Sequence, residues 1–143
     1  MGFKQHTNLA ALNANAAGCM VDHLGIVFTE LGEDYLCGTM PVDRRTHQPY
    51  GLLHGGASVA LAETLGSTGG FLYLDPATEM AVGLEISANH IRGVTQGTVT
   101  GTARALHVGR STQVWEIRIE NEEGQLVCIS RLTLAIVPRR AKA

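Results

Sequence analysis

Residues 48–67 read Gln48-Pro49-Tyr50-Gly51-Leu52-Leu53-His54-Gly55-Gly56-Ala57-Ser58-Val59-Ala60-Leu61-Ala62-Glu63-Thr64-Leu65-Gly66-Ser67. A loop holding proline and glycine runs into His-Gly-Gly, and a long stretch of small and apolar residues follows. Positions 54 to about 74 predict one helix, although Gly55, Gly56, Gly66, Gly69 and Gly70 make its intrinsic propensity poor. Such a helix persists when something packs very close to it, and a sheet wrapped around it would do so. Between Asp43 and Asp75 this segment carries one acidic residue, Glu63. A lone carboxylate on a buried, neutral helix is costly unless something uses or satisfies it. The helix start also supplies backbone N–H groups with no intrahelical partner, where negative charge is stabilised. Together these parts suit attack on a carbonyl.

The flanking sequence supplies the sheet. Thr7 or Asn8 can cap a short helix through Ala17, closed by Gly18. Positions 24–31 and 35–42 read as two strands joined by a Gly32-Glu33-Asp34 turn. Residues 43–53 form a loop. After an Asp75-Pro76 turn come four further strand candidates, at 80–92, 97–106, 112–121 and 125–137. The third alternates cleanly, with Val114, Glu116, Arg118 and Glu120 opposed to Gln113, Trp115, Ile117 and Ile119. Helix, two strands, long helix, four strands is the order of an α+β fold whose antiparallel sheet packs on one central helix. At 143 residues, with no internal repeat or linker, the chain reads as one domain, 1–143.

Composition excludes several classes. The chain is 45% hydrophobic and 17% charged, which argues against disorder. A net charge of −2 without a long basic run gives no general nucleic-acid surface. Arg139, Arg140 and Lys142 read as a frayed, solvated terminus in preference to a phosphate site. Cys19, Cys37 and Cys128 are isolated and odd in number, so neither a disulfide framework nor a zinc knuckle is signalled, and a reducing cytoplasm is expected. No run approaches the roughly 20 apolar residues of a membrane span. The early alanines end a polar-interrupted helix rather than a signal-peptide core.

Helical spacing puts Ser67 one turn beyond Glu63 on the same face. A carboxylate beside a hydroxyl can deprotonate a water or attack an acyl carbon itself. A half-exposed Glu without a role is the plain alternative, and the small neighbours Ala60, Ala62 and Gly66 weigh against it. Gly55 and Gly56 can form an oxyanion hole, or can simply let the loop turn. His54 can polarise a carbonyl as a neutral donor, or cap the helix. Gln48 can donate its amide to the same oxygen, though taken alone it reads as a loop residue. Ser58 misses the G-x-S-x-G elbow because the last glycine is absent. His54 and Glu63 lack metal-ligand spacing, so no metal is expected. His90 and Arg92 share a strand face by alternation. With His107, Gly109, Arg110, Ser111 and Thr112 they offer donors of the kind that suit phosphates. Ordinary polar strand ends remain the simpler reading for any one of them.

The 48–67 segment resembles the helix motif of the hotdog-fold acyl-CoA thioesterases, in the 4-hydroxybenzoyl-CoA thioesterase branch that carries glutamate on the central helix. Gly83-Leu-Glu-Ile-Ser-Ala-Asn-His90-Ile-Arg92 and Leu106-His-Val-Gly-Arg-Ser-Thr-Gln-Val-Trp115 resemble its other two signature segments. The pattern is similar to bacterial 1,4-dihydroxy-2-naphthoyl-CoA hydrolases and to the enterobactin-pathway proofreading thioesterases. The resemblance implies hydrolysis of an acyl-CoA, or of an acyl-carrier-protein ester, with no cofactor. It implies dimers sharing one continuous sheet through the strand at 83–92, pairing again into tetramers, with each site at the subunit interface. Glu63 is then nucleophile or general base, and the Gly55 N–H holds the thioester oxygen with Gln48 and His54. Ser67 positions water or the glutamate. Gly83 and His90 of the partner line the acyl or pantetheine path, and Arg92 and the 107–112 turn meet the nucleotide phosphates. Relatives with the basic residue one place later in that turn differ from this chain, where Arg110 directly follows Gly109.

Two other readings compete. A 3-hydroxyacyl dehydratase of this fold would carry a His-Phe-Pro-Gly-His-Phe-Pro-like loop, which Gln-Pro-Tyr-Gly-Leu-Leu-His fits poorly. A non-catalytic acyl-CoA sensor would add a DNA-binding segment and lack Glu63.

Overall fold

The computed structural model describes residues 2–140. Its elements are α1 (Leu9–Asn15), α2 (Met20–His23), β1 (Val27–Leu31), β2 (Tyr35–Pro41), α3 (Gly55–Leu72), β3 (Glu79–His90), β4 (Thr98–Val108), β5 (Thr112–Glu120) and β6 (Leu126–Pro138). Among the described residues the six strands form one sheet in the order β1-β2-β4-β5-β6-β3, and every neighbouring pair is antiparallel. The sheet wraps α3, which touches β2, β3, β4, β5 and β6. This is the hotdog arrangement expected from the sequence.

One face of α3 makes that wrap close. Its buried residues, Ala57, Ser58, Leu61, Ala62, Leu65, Gly66, Gly69 and Gly70, recur at helical spacing. A Cβ on Gly69 would lie 2.6 Å from Trp115 Cη2, and one on Gly66 would lie 2.7 Å from Leu132 Cδ2. The glycines that weaken the isolated helix are therefore what lets it seat on the sheet. Leu65 performs the reverse fit. It projects over the paired Gly38 and Gly101 of β2 and β4, where added Cβ atoms would come within 2.9 and 2.6 Å of its methyl groups.

Trp115 cannot easily give way. Its Nε1 donates to Gln113 Oε1 at 2.9 Å, and Gln113 Nε2 donates to the Gly70 carbonyl at 3.2 Å. Phe3 stacks on the indole and Tyr73 tilts against it. Gln113 is thus a fully buried amide serving both the strand and the helix.

Two sequence expectations need correction. Residues 24–31 do not form one strand: β1 begins at Val27, and Met20–His23 make a short helix capped by Leu24. Gly25, at φ 72°, then turns the chain into the sheet. The expected strand at 80–92 stops at His90, leaving Arg92 beyond it. Asn8, rather than Thr7, caps α1, accepting from the Ala11 N–H at 2.9 Å. Arg139 is tied to the sheet through its N–H to the Thr78 carbonyl at 2.8 Å, so it is not frayed, while Lys142 lies outside the described residues.

Gly69→Ala should lower stability even though alanine favours helix by about 1 kcal/mol. Overpacking against a fixed indole costs about 1–3 kcal/mol. Urea denaturation should show a net loss. An unchanged or raised midpoint would mean that the ring moves freely.

Candidate active site

The second stripe of α3, through Ala60, Glu63, Thr64, Ser67 and Thr68, is half-buried and faces a cleft of about 380 Å³. Met20, Val21, Leu24 and Ile26 supply the opposite wall. A further cavity of about 330 Å³ shares Val21, Thr64, Ser67 and Thr68 and reaches Asn15 and Cys19, so the space continues beneath α1 and α2. Glu63 and Ser67 come together in it as their spacing predicts. Thr64 spends its hydroxyl on the Ala60 carbonyl at 2.7 Å. Among the described residues the Glu63 carboxylate has no hydrogen-bond donor and no cation. It lies over the backbone of β3, where a Cβ on Gly83 would come 2.7 Å from its Oε1. Gly83 therefore leaves room for the acid.

The start of α3 is built by the preceding loop. Thr46, 2% exposed, donates its hydroxyl to the Pro41 carbonyl at 2.7 Å. Asp43 holds Arg45 at 2.7 Å, and that hydrogen-bonded guanidinium lowers the Asp43 pKa to about 2. The chain then makes a narrow excursion. His47 and Leu53 bridge its base, and the Gly51 N–H closes the tip on the Gln48 carbonyl at 3.0 Å. Gly51, at φ 78°, occupies a backbone region that side chains disfavour. The Gln48 side-chain oxygen accepts the Tyr50 N–H. Its amide nitrogen finds no acceptor among the described residues and stays available as a donor.

His54 is the N-cap of α3. Its Nδ1 accepts the Gly56 N–H at 2.8 Å. An Nδ1 that accepts is unprotonated, so the neutral ring carries its proton on Nε2. The cap reading of this histidine is what the structure shows, and the tautomer that makes the cap leaves an N–H on the other ring nitrogen. With Gly56 engaged by the cap, the Gly55 N–H is left without an acceptor among the described residues. The His90 ring sits on Gly55, and a Cβ there would lie 2.8 Å from its Nε2. Neither glycine is explained by loop turning alone.

The site residues fall into three groups along α3. Gln48, His54, Gly55, His90 and Arg92 gather at its N-terminal end. Glu63, Ser67 and Gly83 lie at its middle. His107, Gly109, Arg110, Ser111 and Thr112 lie at the far end, where the Ile136 N–H bonds the Ser111 carbonyl and Gln113 meets Gly70. There the His107 ring folds over Gly109, whose N–H closes the turn on the Thr112 carbonyl at 2.9 Å. Within one chain, Gly83 packs against Glu63 and His90 against Gly55, both on the chain's own α3. Arg92 and the 107–112 turn are not neighbours within a chain: His90 pairs with Cys128 and Thr112 with Ala135, about 23 Å apart along β6.

Sequence reading missed the α2 wall. The signal was Val21 and Leu24 at helical spacing before Gly25, a helix stop. Ser58 is 1% exposed on the core face, which accords with its rejection as a nucleophile. No cluster able to hold a metal occurs among the described residues, and no helix among them is long and apolar enough to cross a membrane.

Comparison with known proteins agrees with this geometry. A family profile described as the thioesterase superfamily matches residues 50–128. The chain is similar to the proofreading thioesterase EntH of Cronobacter sakazakii, 58% identical over 96% of this chain and 99% of that protein. It superposes on thioesterase HI1161 of Haemophilus influenzae with a TM-score of 0.94, at 49% identity, covering 96% of each chain. A crystallised mutant of thioesterase PA1618 from Pseudomonas aeruginosa gives 0.95 at 49% identity, covering 97% of this chain and 100% of that one. A carboxylate in an apolar cleft and an N–H at a helix start, both without a partner among the described residues, agree with this kinship: the chain belongs to the thioesterase superfamily and is a thioester hydrolase.

Proposed function

We propose that the chain hydrolyses an aryl or medium-chain acyl-CoA to the free acid and coenzyme A, in a site built by two copies. The observation that carries this is the Glu63 carboxylate, without a partner among the described residues, beside Ser67 in a cleft of acyl dimensions. Glu63 takes a proton from a water held with Ser67, or attacks the carbonyl carbon itself to give an anhydride that water then opens. In either case the carbonyl oxygen gains negative charge, the C–S bond breaks, and the thiolate leaves and is protonated. A backbone N–H aimed at that oxygen is worth roughly 3–4 kcal/mol. Gly55 is the donor, assisted by the Gln48 amide and the His54 Nε2–H.

One chain cannot assemble this alone. Gly55 and Glu63 are eight residues apart on one helix, an axial separation of about 12 Å, so one carbonyl group cannot meet both. A second copy removes the conflict. β3 is an edge strand of twelve residues, and Leu84 on it is 62% exposed. Such an edge invites antiparallel pairing. Own-chain contacts set Gly83 level with Glu63 and His90 level with Gly55. Two β3 strands that meet with Gly83 facing His90 of the partner subunit therefore bring each Glu63 to the level of the other Gly55. The same pairing sets Arg92 of the partner subunit near the level of Ala81, whose neighbour Ile136 bonds Ser111. Catalytic and phosphate groups, divided within a chain, are joined by one twofold axis. Further pairing into tetramers and a cytoplasmic setting belong to the same proposal.

Free-thiol release from benzoyl-, 1,4-dihydroxy-2-naphthoyl-, hexanoyl- and lauroyl-CoA should fall about 10²–10⁴-fold in Glu63→Gln with coenzyme A binding retained. Near wild-type turnover in that variant would remove Glu63 from the reaction. Single turnover in heavy-oxygen water tests the nucleophilic route, because an anhydride opened at the Glu63 carboxyl carbon gives a first product without label and leaves the label on Glu63, whereas water attacking the acyl carbon labels the product.

Arg92→Ala and Arg110→Ala should each raise KM for CoA esters more than for a pantetheine ester that lacks the nucleotide. Equal effects on both would take these arginines away from the phosphates.

Co-expressed Glu63→Gln and Gln48→Ala chains, each nearly inactive alone, should recover up to half of wild-type activity in the mixed dimer, since one of its two sites is then intact. No recovery would mean that Glu63 and Gln48 act within one chain.

A further inference from the structure

Tyr50 is 90% exposed, an aromatic ring held out at the tip of the loop before α3. Its backbone is fixed: the Tyr50 N–H donates to the Gln48 side chain, and the turn from Gln48 to Gly51 is closed. Wherever the Gln48 amide is delivered, the Tyr50 ring goes with it.

The acyl cleft is incomplete in one chain. It is open to solvent, and none of the residues around Glu63 in it is aromatic. Beside Glu63 it has aliphatic side chains on the α2 wall and hydroxyls on the α3 wall. The aromatic rings of Phe28 and Phe71 line only the adjoining cavity beneath α1, so the part around the carboxylate has no flat surface of its own. The two-copy site proposed above, on which this inference rests, runs the two α3 helices in opposite directions with each Gly55 level with the other Glu63. Chain that precedes Gly55 in one copy then runs toward levels that follow Glu63 in the other. Those levels hold Ser67 and Thr68, which border both cavities. The 48–53 loop is anchored beside the β3–β4 connection, with the Leu53 N–H on the Val94 carbonyl at 2.8 Å, so it stands at that outer edge.

We infer that Tyr50 closes the acyl cleft of the neighbouring subunit over Ser67 and Thr68 and provides the face on which a flat aromatic acyl group lies. It is a specificity residue contributed in trans, and its cleft prefers aryl thioesters to straight-chain ones. A ring-on-ring contact corresponds to about two- to twelvefold in affinity.

The geometry is tested apart from catalysis. In a Cys19→Ser background, chains carrying both Tyr50→Cys and Thr68→Cys should be joined by a short bismaleimide into covalent dimers on denaturing gels, while either cysteine alone should not link. Linkage within one chain, or none, overturns the inference even if Glu63→Gln is inactive as proposed. Linkage in a protein whose Glu63→Gln form still turns over would instead sink the catalytic reading and leave the contact standing. The chemistry is read as a ratio: Tyr50→Ala should lower kcat/KM for benzoyl-CoA relative to hexanoyl-CoA about two- to twelvefold, and Tyr50→Phe should restore it. An unchanged ratio in Tyr50→Ala overturns the specificity role.

Discussion

The seating of α3 against Trp115 governs the rest of the molecule. A helix of small residues is a poor helix in isolation, and tertiary packing stabilises it. Here the helix gains closeness in return for its glycines: the indole and the Leu132 side chain occupy the volume that larger residues would fill. The buried Gln113 amide binds the helix carbonyl of Gly70 and the indole nitrogen at once, so helix, strand and ring share one hydrogen-bonded position. Because the sheet grips one stripe of α3 so tightly, the opposite stripe is presented at a fixed angle. Glu63 and Ser67 lie on that stripe, and its rigidity suits the role proposed for the carboxylate.

The same packing accounts for the state of the acid. Gly83 gives the Glu63 side chain space over β3, and the cleft around it is largely apolar, so nothing among the described residues neutralises the charge. Under the proposed function that leaves the carboxylate open to a ligand or a water. At the helix start the arrangement is complementary. The His54 ring binds Gly56 and so sets its own tautomer, while the Gly55 N–H has no acceptor among the described residues and His90 packs on that glycine. Glu63 and the Gly55 N–H are kept about 12 Å apart by the rise of the helix, which is why the proposed reaction calls on a second copy.

Much of the fold was legible in residue patterns. The alternation from Gln113 to Ile119 corresponds to buried and outward faces of β5 as observed, and the order of long helix and strands followed from length and turn residues. Residues 20–26 were less legible. Met20, Val21, Leu24 and Ile26 are apolar in a short run that suits either a strand or one helical turn, and only their packing over α3 decides. The candidate site was legible as residue types. Its division into three groups was not, because β6 pairs with both β3 and β5 and places Arg92 and Arg110 at opposite ends.

The sequence by itself determined the chemistry and the class of fold. One carboxylate on a glycine-rich helix, a hydroxyl one turn away and His-Gly-Gly at the helix start are local facts, set by spacing of 3.6 residues per turn. Tertiary structure decided which groups meet. Register across the sheet put Gly83 beneath Glu63 and His90 upon Gly55 in the same chain, and setting α2 opposite α3 made the cleft between them. Those outcomes depend on contacts between residues far apart in sequence, whose distances no local periodicity encodes.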